Sequence, residues 1–294
     1  KSNFLAEPQG KNTAPCIGLA ALEVLRRNPN ATMIVLPADH WVRDGVAFRR
    51  ALKAAVKLAM KHDQLITIGI RPEYPETGYG YIMKGKAVAG KPSLSPFLVK
   101  RFTEKPKLAV AQRLIRQRSL WNSGIFVWKA ATLLELLTHY QPAIGKGLET
   151  IRRAAAGKSL VNPGPKLRTA IAREYKKMPS LSIDYAVMEP AGSEGKVLAL
   201  EADFGWSDVG SWAAVHRMMQ KDNNGNASQG QWLGLASKNS LIHAPERLVV
   251  LLGMENAVVV DTRDALLVAD LSRSQDVRDI VDELNRKGLS SYTT

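Results

Sequence analysis

The chain has 294 residues, 45% hydrophobic and 23% charged, with a formal net charge of +14. Such a length buries a large core and sits between one big domain and a domain with an appendage. No apolar run approaches a membrane span, the opening KSNFLAEPQGKN lacks a signal-peptide core, and Cys16 alone makes no internal disulfide, so a cytoplasmic protein without a membrane partner is expected.

The basic residues are scattered, with pairs such as Arg26, Arg27 and Lys176, Lys177 on expected solvated helix faces. With no nucleic-acid module in the chain, the charge favours small phosphorylated substrates over nucleic acid. Residues 5–13 read as a polar loop feeding a helix. Asn12 or Thr13 is its N-cap, Pro15 lies in its first turn, and Asn28-Pro29 ends it. Lys11, a hydroxyl and free amides at that helix start suit an anion or a polar base edge, although a plain capped helix explains them too. Residues 33–36 read as a strand buried on both faces, stopped by Pro37 and Ala38, with Asp39 and His40 at its carboxyl end. Ligands of an open α/β sheet sit outside such ends, and capping the next helix is the plainer role for a lone Asp. Asp208, in the Gly- and Trp-rich stretch 203–212, offers a second carboxylate. Two hard oxygen donors from distant segments suit Mg²⁺ held jointly with substrate phosphates.

A helix over 44–61, with Val46, Phe48, Leu52, Val56 and Ala59 on one side, and a buried strand over 65–70 follow. This alternation predicts βαβ units and a mainly parallel sheet flanked by helices. Pro72, Pro75, Gly78 and Gly80 around Tyr79 form either a ligand-hugging loop or a plain turn. Residues 84–95 read as a polar hairpin tip. The strand 96–106 ends in Glu104-Lys105, which can meet sugar hydroxyls and phosphate or form a surface ion pair. Residues 107–117 are helical, and 120–128 form an apolar strand interrupted by Asn122-Ser123-Gly124, polar groups that need partners and could find them in a ligand. Residues 130–177 are a helical cover broken at Pro142, Gly157 and 162–165. A short helix over 180–188 carries Asp184 near its start, and a strand over 195–202 leads to the Asp208 loop. A catalytic domain over 1–219, a linker at 220–231 and a small β-rich appendage over 232–294 are expected. The appendage carries strands at 248–252, 257–261 and 266–269 and a final helix over 274–287, as coils of a β-helix or a small sheet.

Seven motifs occur in order: E-P-x-x-K-N-T-A-P (7–15), L-P-A-D-H (36–40), E-T-G-Y-G-Y-I (76–82), F-T-E-K-P (102–106), W-N-S-G-I-F-x-W (121–128), S-I-D-Y-A-V-M-E (182–189) and W-S-D-V-G-S-W (206–212). Together they resemble the mannose-1-phosphate guanylyltransferase family of sugar nucleotidyltransferases. The resemblance implies a Rossmann-like, GT-A-type α/β fold and transfer of GMP from GTP to α-D-mannose 1-phosphate, giving GDP-mannose and pyrophosphate. It implies Asp39 and Asp208 as Mg²⁺ ligands, Lys11, Asn12 and Thr13 lining the base pocket, and Gly80, Glu104, Lys105 and Asn122 on the mannose-phosphate side. Asp184, inside its own motif, joins the expected substrate-binding residues. A sugar phosphate is already a competent nucleophile, so the expected catalytic groups are Asp39, Asp208 and Lys105, which position it and offset charge, with no general base. Nothing matches the family's G-G-x-G-x-R-x-x-P-L-S phosphate loop, so an N-terminal segment of at least two βα units is expected to be missing, the chain being a fragment, a truncated gene model or a divergent protein. The isomerase activity of bifunctional relatives is not expected, and a homodimer is left open. The alternatives are a non-catalytic sugar-nucleotide-binding protein, an inactive fragment, or a nucleotidyltransferase of other base or sugar.

Overall fold

The computed structural model describes residues 3–88 and 96–293. Contacts divide them into two compact units: residues up to Ala38 with Val42–Trp206, and Asp39–Trp41 with the segment from Ser207 onward.

In chain order the elements are α1 (Thr13–Arg27), β1 (Thr32–Val35), β2 (Trp41–Val42), α2 (Gly45–Lys61), β3 (Leu65–Ile70), β4 (Tyr81–Ala87) and β5 (Pro96–Thr103). There follow α3 (Leu108–Arg116), β6 (Leu120–Lys129), α4 (Ala130–Tyr140), α5 (Pro142–Ala155) and α6 (Pro165–Lys177). A π-helical turn at Asp184–Met188 runs into α7 (Glu189–Ser193), followed by β7 (Val197–Ala202) and β8 (Trp206–Ser207). The helix limits follow local chemistry. The Asn12 side chain accepts from Thr13 N at 2.8 Å, Asp44 accepts from Val46 N and Ala47 N at 2.9 Å, and proline opens α5 and α6.

The first unit is α/β, and its six-stranded sheet has the order β1-β6-β3-β7-β5-β4, with a further β4–β6 pairing. The expected mainly parallel pairing is corrected: β3–β7 is the parallel pair, while β1–β6, β3–β6, β4–β5, β4–β6 and β5–β7 are antiparallel. β1 and β3 do share a direction, as a βαβ crossover through α2 requires, but β6 runs the opposite way in the slot between them. β1 is likewise not buried on both faces. It ends the sheet order, with Ile34 44% and Leu36 46% exposed. β3, by contrast, is buried at every position. On α2 the fully buried line is Ala51, Ala55 and Ala59, while Val46 is exposed, because small residues let the helix lie close on the sheet. Of the expected tip at 84–95, residues 84–87 continue β4 and 89–95 lie outside the described residues.

The second unit continues with α8 (Trp212–Met218), β9 (Ala227–Leu235), β10 (Leu241–Leu252), β11 (Ala257–Asp261), β12 (Leu266–Asp270), a 3₁₀ turn at Leu271–Asp276 and α9 (Val277–Arg286). Strands β9, β10 and β11 stack in parallel, Leu241 lying opposite both Ala227 and Val258, and β12 returns antiparallel. Of the two forms expected for the appendage, this is the β-helical one. The expected linker is corrected, since residues 227–231 are strand and Asn226 is buried inside the coil. Its polar composition answers to internal hydrogen bonds: the Asn226 side chain accepts from Ser240 N at 3.0 Å and donates to Ser237 O at 3.1 Å.

Candidate active site

In the first unit, Gly80 lets three segments converge. Its carbonyl accepts from Asn122 N at 2.8 Å. A Cβ at this position would collide with Glu104 Oε2 and come within 3.3 Å of Asn122 Cβ, so only glycine leaves Glu104 its place. The Asn122 side chain donates from Nδ2 to Asp184 Oδ1 at 2.7 Å and accepts from Thr67 Oγ1 at 3.4 Å and Gly124 N at 3.3 Å. Ser123 Oγ donates to Ile68 O at 2.6 Å and accepts from Ile125 N at 3.3 Å. The polar interruption of β6 thus finds partners inside the protein.

Burial pushes the Asp184 carboxyl up to about 6, against the Asn122 hydrogen bond and with the Glu104 charge adding to the rise. Burial, then Glu104 and Asp184, also push Glu189 above the usual carboxylate range. Lys105 answers this acidity with Nζ 3.3 Å from Glu104 Oε1, on a backbone with φ of 44°, the left-handed region that a side chain makes costly.

The loop holding Lys11, Asn12 and Thr13 is fastened to the segment just before Asp184. Leu181 N donates to Lys11 O at 3.2 Å, Ala14 N to Leu181 O at 3.0 Å, and Ile183 N to Thr13 Oγ1 at 2.8 Å. Upstream, Tyr175 Oη donates to Glu7 Oε2 at 2.5 Å, and burial with that carboxylate raises the Tyr175 phenol. Lys11, Asn12, Thr13, Gly80, Glu104, Lys105, Asn122 and Asp184 therefore form one connected set within the first unit.

Asp39 and Asp208 both belong to the second unit. β2 and β8 pair as a two-stranded ribbon; Asp39 lies just before β2 and Asp208 directly after β8. The His40 imidazole feels both carboxylates, while burial, the larger effect, pushes its pKa down. Asp208 is oriented by its own turn: its Oδ1 accepts from Gly210 N at 2.9 Å, and Val209 N donates to Ser207 Oγ at 3.1 Å with Val209 at φ 55°. Two hard carboxylates beside an imidazole held toward neutrality fit Mg²⁺. Among the described residues no group of three or more His, Cys, Asp or Glu is placed to hold a metal ion.

Sequence reasoning assigned no role to Thr67 or Glu189. Thr67 is the one polar side chain in an otherwise apolar buried strand, and Glu189 closes the motif that holds Asp184; both were available signals.

The chain is similar to known proteins over most of its length. Residues 1–225 match the Nucleotidyl transferase family, and residues 230–284 match the MannoseP isomerase/GMP-like beta-helix domain. The chain is 38% identical over 289 residues to a mannose-1-phosphate guanylyltransferase of Escherichia coli K12, covering 97% of this chain and 58% of that protein. It is 41% identical over 297 residues to the xanthan biosynthesis protein XanB of Xanthomonas campestris pv. campestris B100, covering 99% and 59%. A crystal structure of a mannose-1-phosphate geranyltransferase from Thermus thermophilus superposes with a TM-score of 0.81 at 31% identity, covering 96% of this chain and 77% of that one. The chain thus spans about 60% of the length of the curated relatives it matches.

Proposed function

The chain belongs to the Nucleotidyl transferase family, and from that premise we propose that its protein transfers GMP from GTP to α-D-mannose 1-phosphate, releasing pyrophosphate and forming GDP-mannose. The observation that supports this reading is the β2–β8 ribbon, whose paired strands place Asp39 just before one strand and Asp208 directly after the other, although the two acids are remote in sequence. The names of the curated relatives support the choice of base and sugar.

In this reading Asp39 and Asp208 would hold Mg²⁺ at the nucleotide phosphates. The ion, when bound, offsets the negative charge that gathers on the reacting phosphate and the departing pyrophosphate. Lys105 brings its ammonium to the sugar phosphate, reducing the repulsion between nucleophile and nucleotide. Glu104 and Asp184 accept hydrogen bonds from sugar hydroxyls; two carboxylates that repel one another gain from donors placed between them. Asn122 keeps Asp184 oriented, and Gly80 keeps the approach to Glu104 open. Lys11, Asn12 and Thr13 offer backbone and side-chain groups to the base. No general base is needed, because the sugar phosphate attacks as the anion it already is; positioning in line is the main task.

GTP and mannose 1-phosphate are the small-molecule partners in this proposal and the cytoplasm is its compartment. No helix among the described residues is long and apolar enough to cross a membrane. A homodimer would show as twice the chain mass in light scattering. The deciding experiment supplies the whole protein carrying this chain with Mg²⁺, GTP and mannose 1-phosphate and follows pyrophosphate. Release that needs all three supports the proposal. No release, or faster turnover with another nucleoside triphosphate or sugar phosphate, overturns it.

A further inference from the structure

A solvent-open chamber of the first unit lies at the far end of α1 from Thr13, bounded by α1, α4 and the chain that leaves α5, with a volume of about 390 Å³. That is within the range of small-molecule sites. Its floor is apolar, made by Leu22, Leu134, Ala155 and Leu160. Around it stand Arg26, Arg152, Arg153 and Lys158, and no carboxylate lines it.

The carboxylates near these cations are outnumbered. Glu23 is shared by Arg26 at 2.8 Å and Arg27 at 2.9 Å, and Glu149 by Arg152 at 2.6 Å and Arg153 at 2.7 Å. Cations in the last turns of α1 and α5 also answer the helix dipoles, but a dipole needs no apolar chamber beside it. The chamber is held in shape independently of any ligand, since Glu23, itself buried, accepts from Leu160 N at 2.8 Å and Ser159 Oγ at 3.1 Å and pins its wall to α1.

From this combination we infer that the chamber is a binding site for a small amphiphilic anion, with its apolar body on the leucine floor and its phosphate, sulfate or carboxylate head among the arginines and Lys158. Arg26 and Arg152 already place their Nε and Nη2 donors on Glu23 and Glu149, and Arg153 its Nε on Glu149, so the head is met by the remaining Nη hydrogens and by the Lys158 ammonium. The site is separate from the residues assigned to GTP and mannose 1-phosphate, so its test does not depend on turnover.

Isothermal titration calorimetry of the whole protein, with GTP present throughout and mannose 1-phosphate left out so that nothing turns over, compares octyl phosphate, octanoate, inorganic phosphate and 1-octanol. One equivalent of octyl phosphate or octanoate is expected to bind, and octanol and inorganic phosphate to bind at least about tenfold more weakly, since each lacks half of the recognition. Octyl phosphate ahead of octanoate identifies a phosphate head, and the reverse order a carboxylate head. Lys158→Glu, an exposed change that leaves the core alone, should weaken binding by about tenfold or more, and Leu134→Trp should fill the floor and abolish it. Absence of binding by both amphiphiles, binding indifferent to both variants, or displacement by raised GTP would overturn the inference.

Discussion

The two units each contain a hydrogen-bonded Asn–Asp pair, and the pairs behave oppositely. In the first unit Asn122 donates to Asp184 at 2.7 Å, and burial still pushes that acid up to about 6. In the second, Asn226 donates to Asp222 at 3.0 Å; the Asp222 Oδ1 also accepts from Asn224 N and Asn226 N, and these bonds hold the acid below the usual carboxylate range. The same two side chains thus serve different ends. The β-helical unit has small cores such as Ala227, Leu241, Val258 and Val260, and it uses Asn226, Ser237 and Ser240 as internal ladder bonds. The sheet unit has an extensive apolar core and brings Glu104 and Asp184 close to Gly80 and Asn122. A buried polar group marks a candidate site when desolvation outweighs its hydrogen bonds, and structure when the bonds win.

The largest expected effect would break the comparison at its metal end. Asp208→Asn should reduce pyrophosphate release by about a thousandfold, on the order of 4 kcal/mol of lost charge stabilisation, with circular dichroism unchanged; retained activity removes Asp208 from the mechanism. Glu23 then tests the criterion within the sheet unit, because it is a buried acid whose bonds win. The Arg26 hydrogen bond leads in holding it down to about 2 against an ordinary 4.5. A depressed folded value means that this stabilisation is fully present above pH 4.5 and is lost as pH falls toward 2. Glu23→Gln should therefore cost roughly 3 kcal/mol at neutral pH, and the melting-temperature gap to the parent should close on acidification through that window.

Replacing the two asparagines sharpens the contrast directly. Asn226→Ala should lose about 2 kcal/mol in denaturant unfolding, by stranding Ser240 N and Ser237 O, and keep its activity per folded molecule. Asn122→Ala should instead raise KM for mannose 1-phosphate by about tenfold through a misplaced Asp184. If the variants trade places, the distinction fails. The smallest effect is one of pH. As Asp184 protonates, KM for mannose 1-phosphate should climb by about tenfold per pH unit below 6, and Asp184→Asn should flatten the profile. Because the folded value is raised from 3.8, the charged form penalises folding increasingly as pH rises through that interval. Asp184→Asn should accordingly raise the melting temperature at pH 7 and leave it nearly unchanged at pH 3.5.

Most helix limits were legible in the sequence, because the caps at Asn12 and Asp44 and the prolines of α5 and α6 act within a turn of the residues they control. Motif order alone also carried the resemblance to sugar nucleotidyltransferases, and the chemistry of Asp39, Asp208, Glu104 and Lys105 could be named from side-chain type. Tertiary structure alone decided that β6 separates β1 from β3, that Ile34 and Leu36 face outward, and that the stretch around Asn226 is coil interior rather than linker. It alone lifted Asp184 and paired β2 with β8, the strands that Asp39 precedes and Asp208 follows. Local signals depend on neighbours a few residues away, whereas strand partners, burial and the electrostatic surroundings of an acid are set by groups well outside the local turn, such as Ser240, 14 residues from Asn226, and Asn122, 62 residues from Asp184.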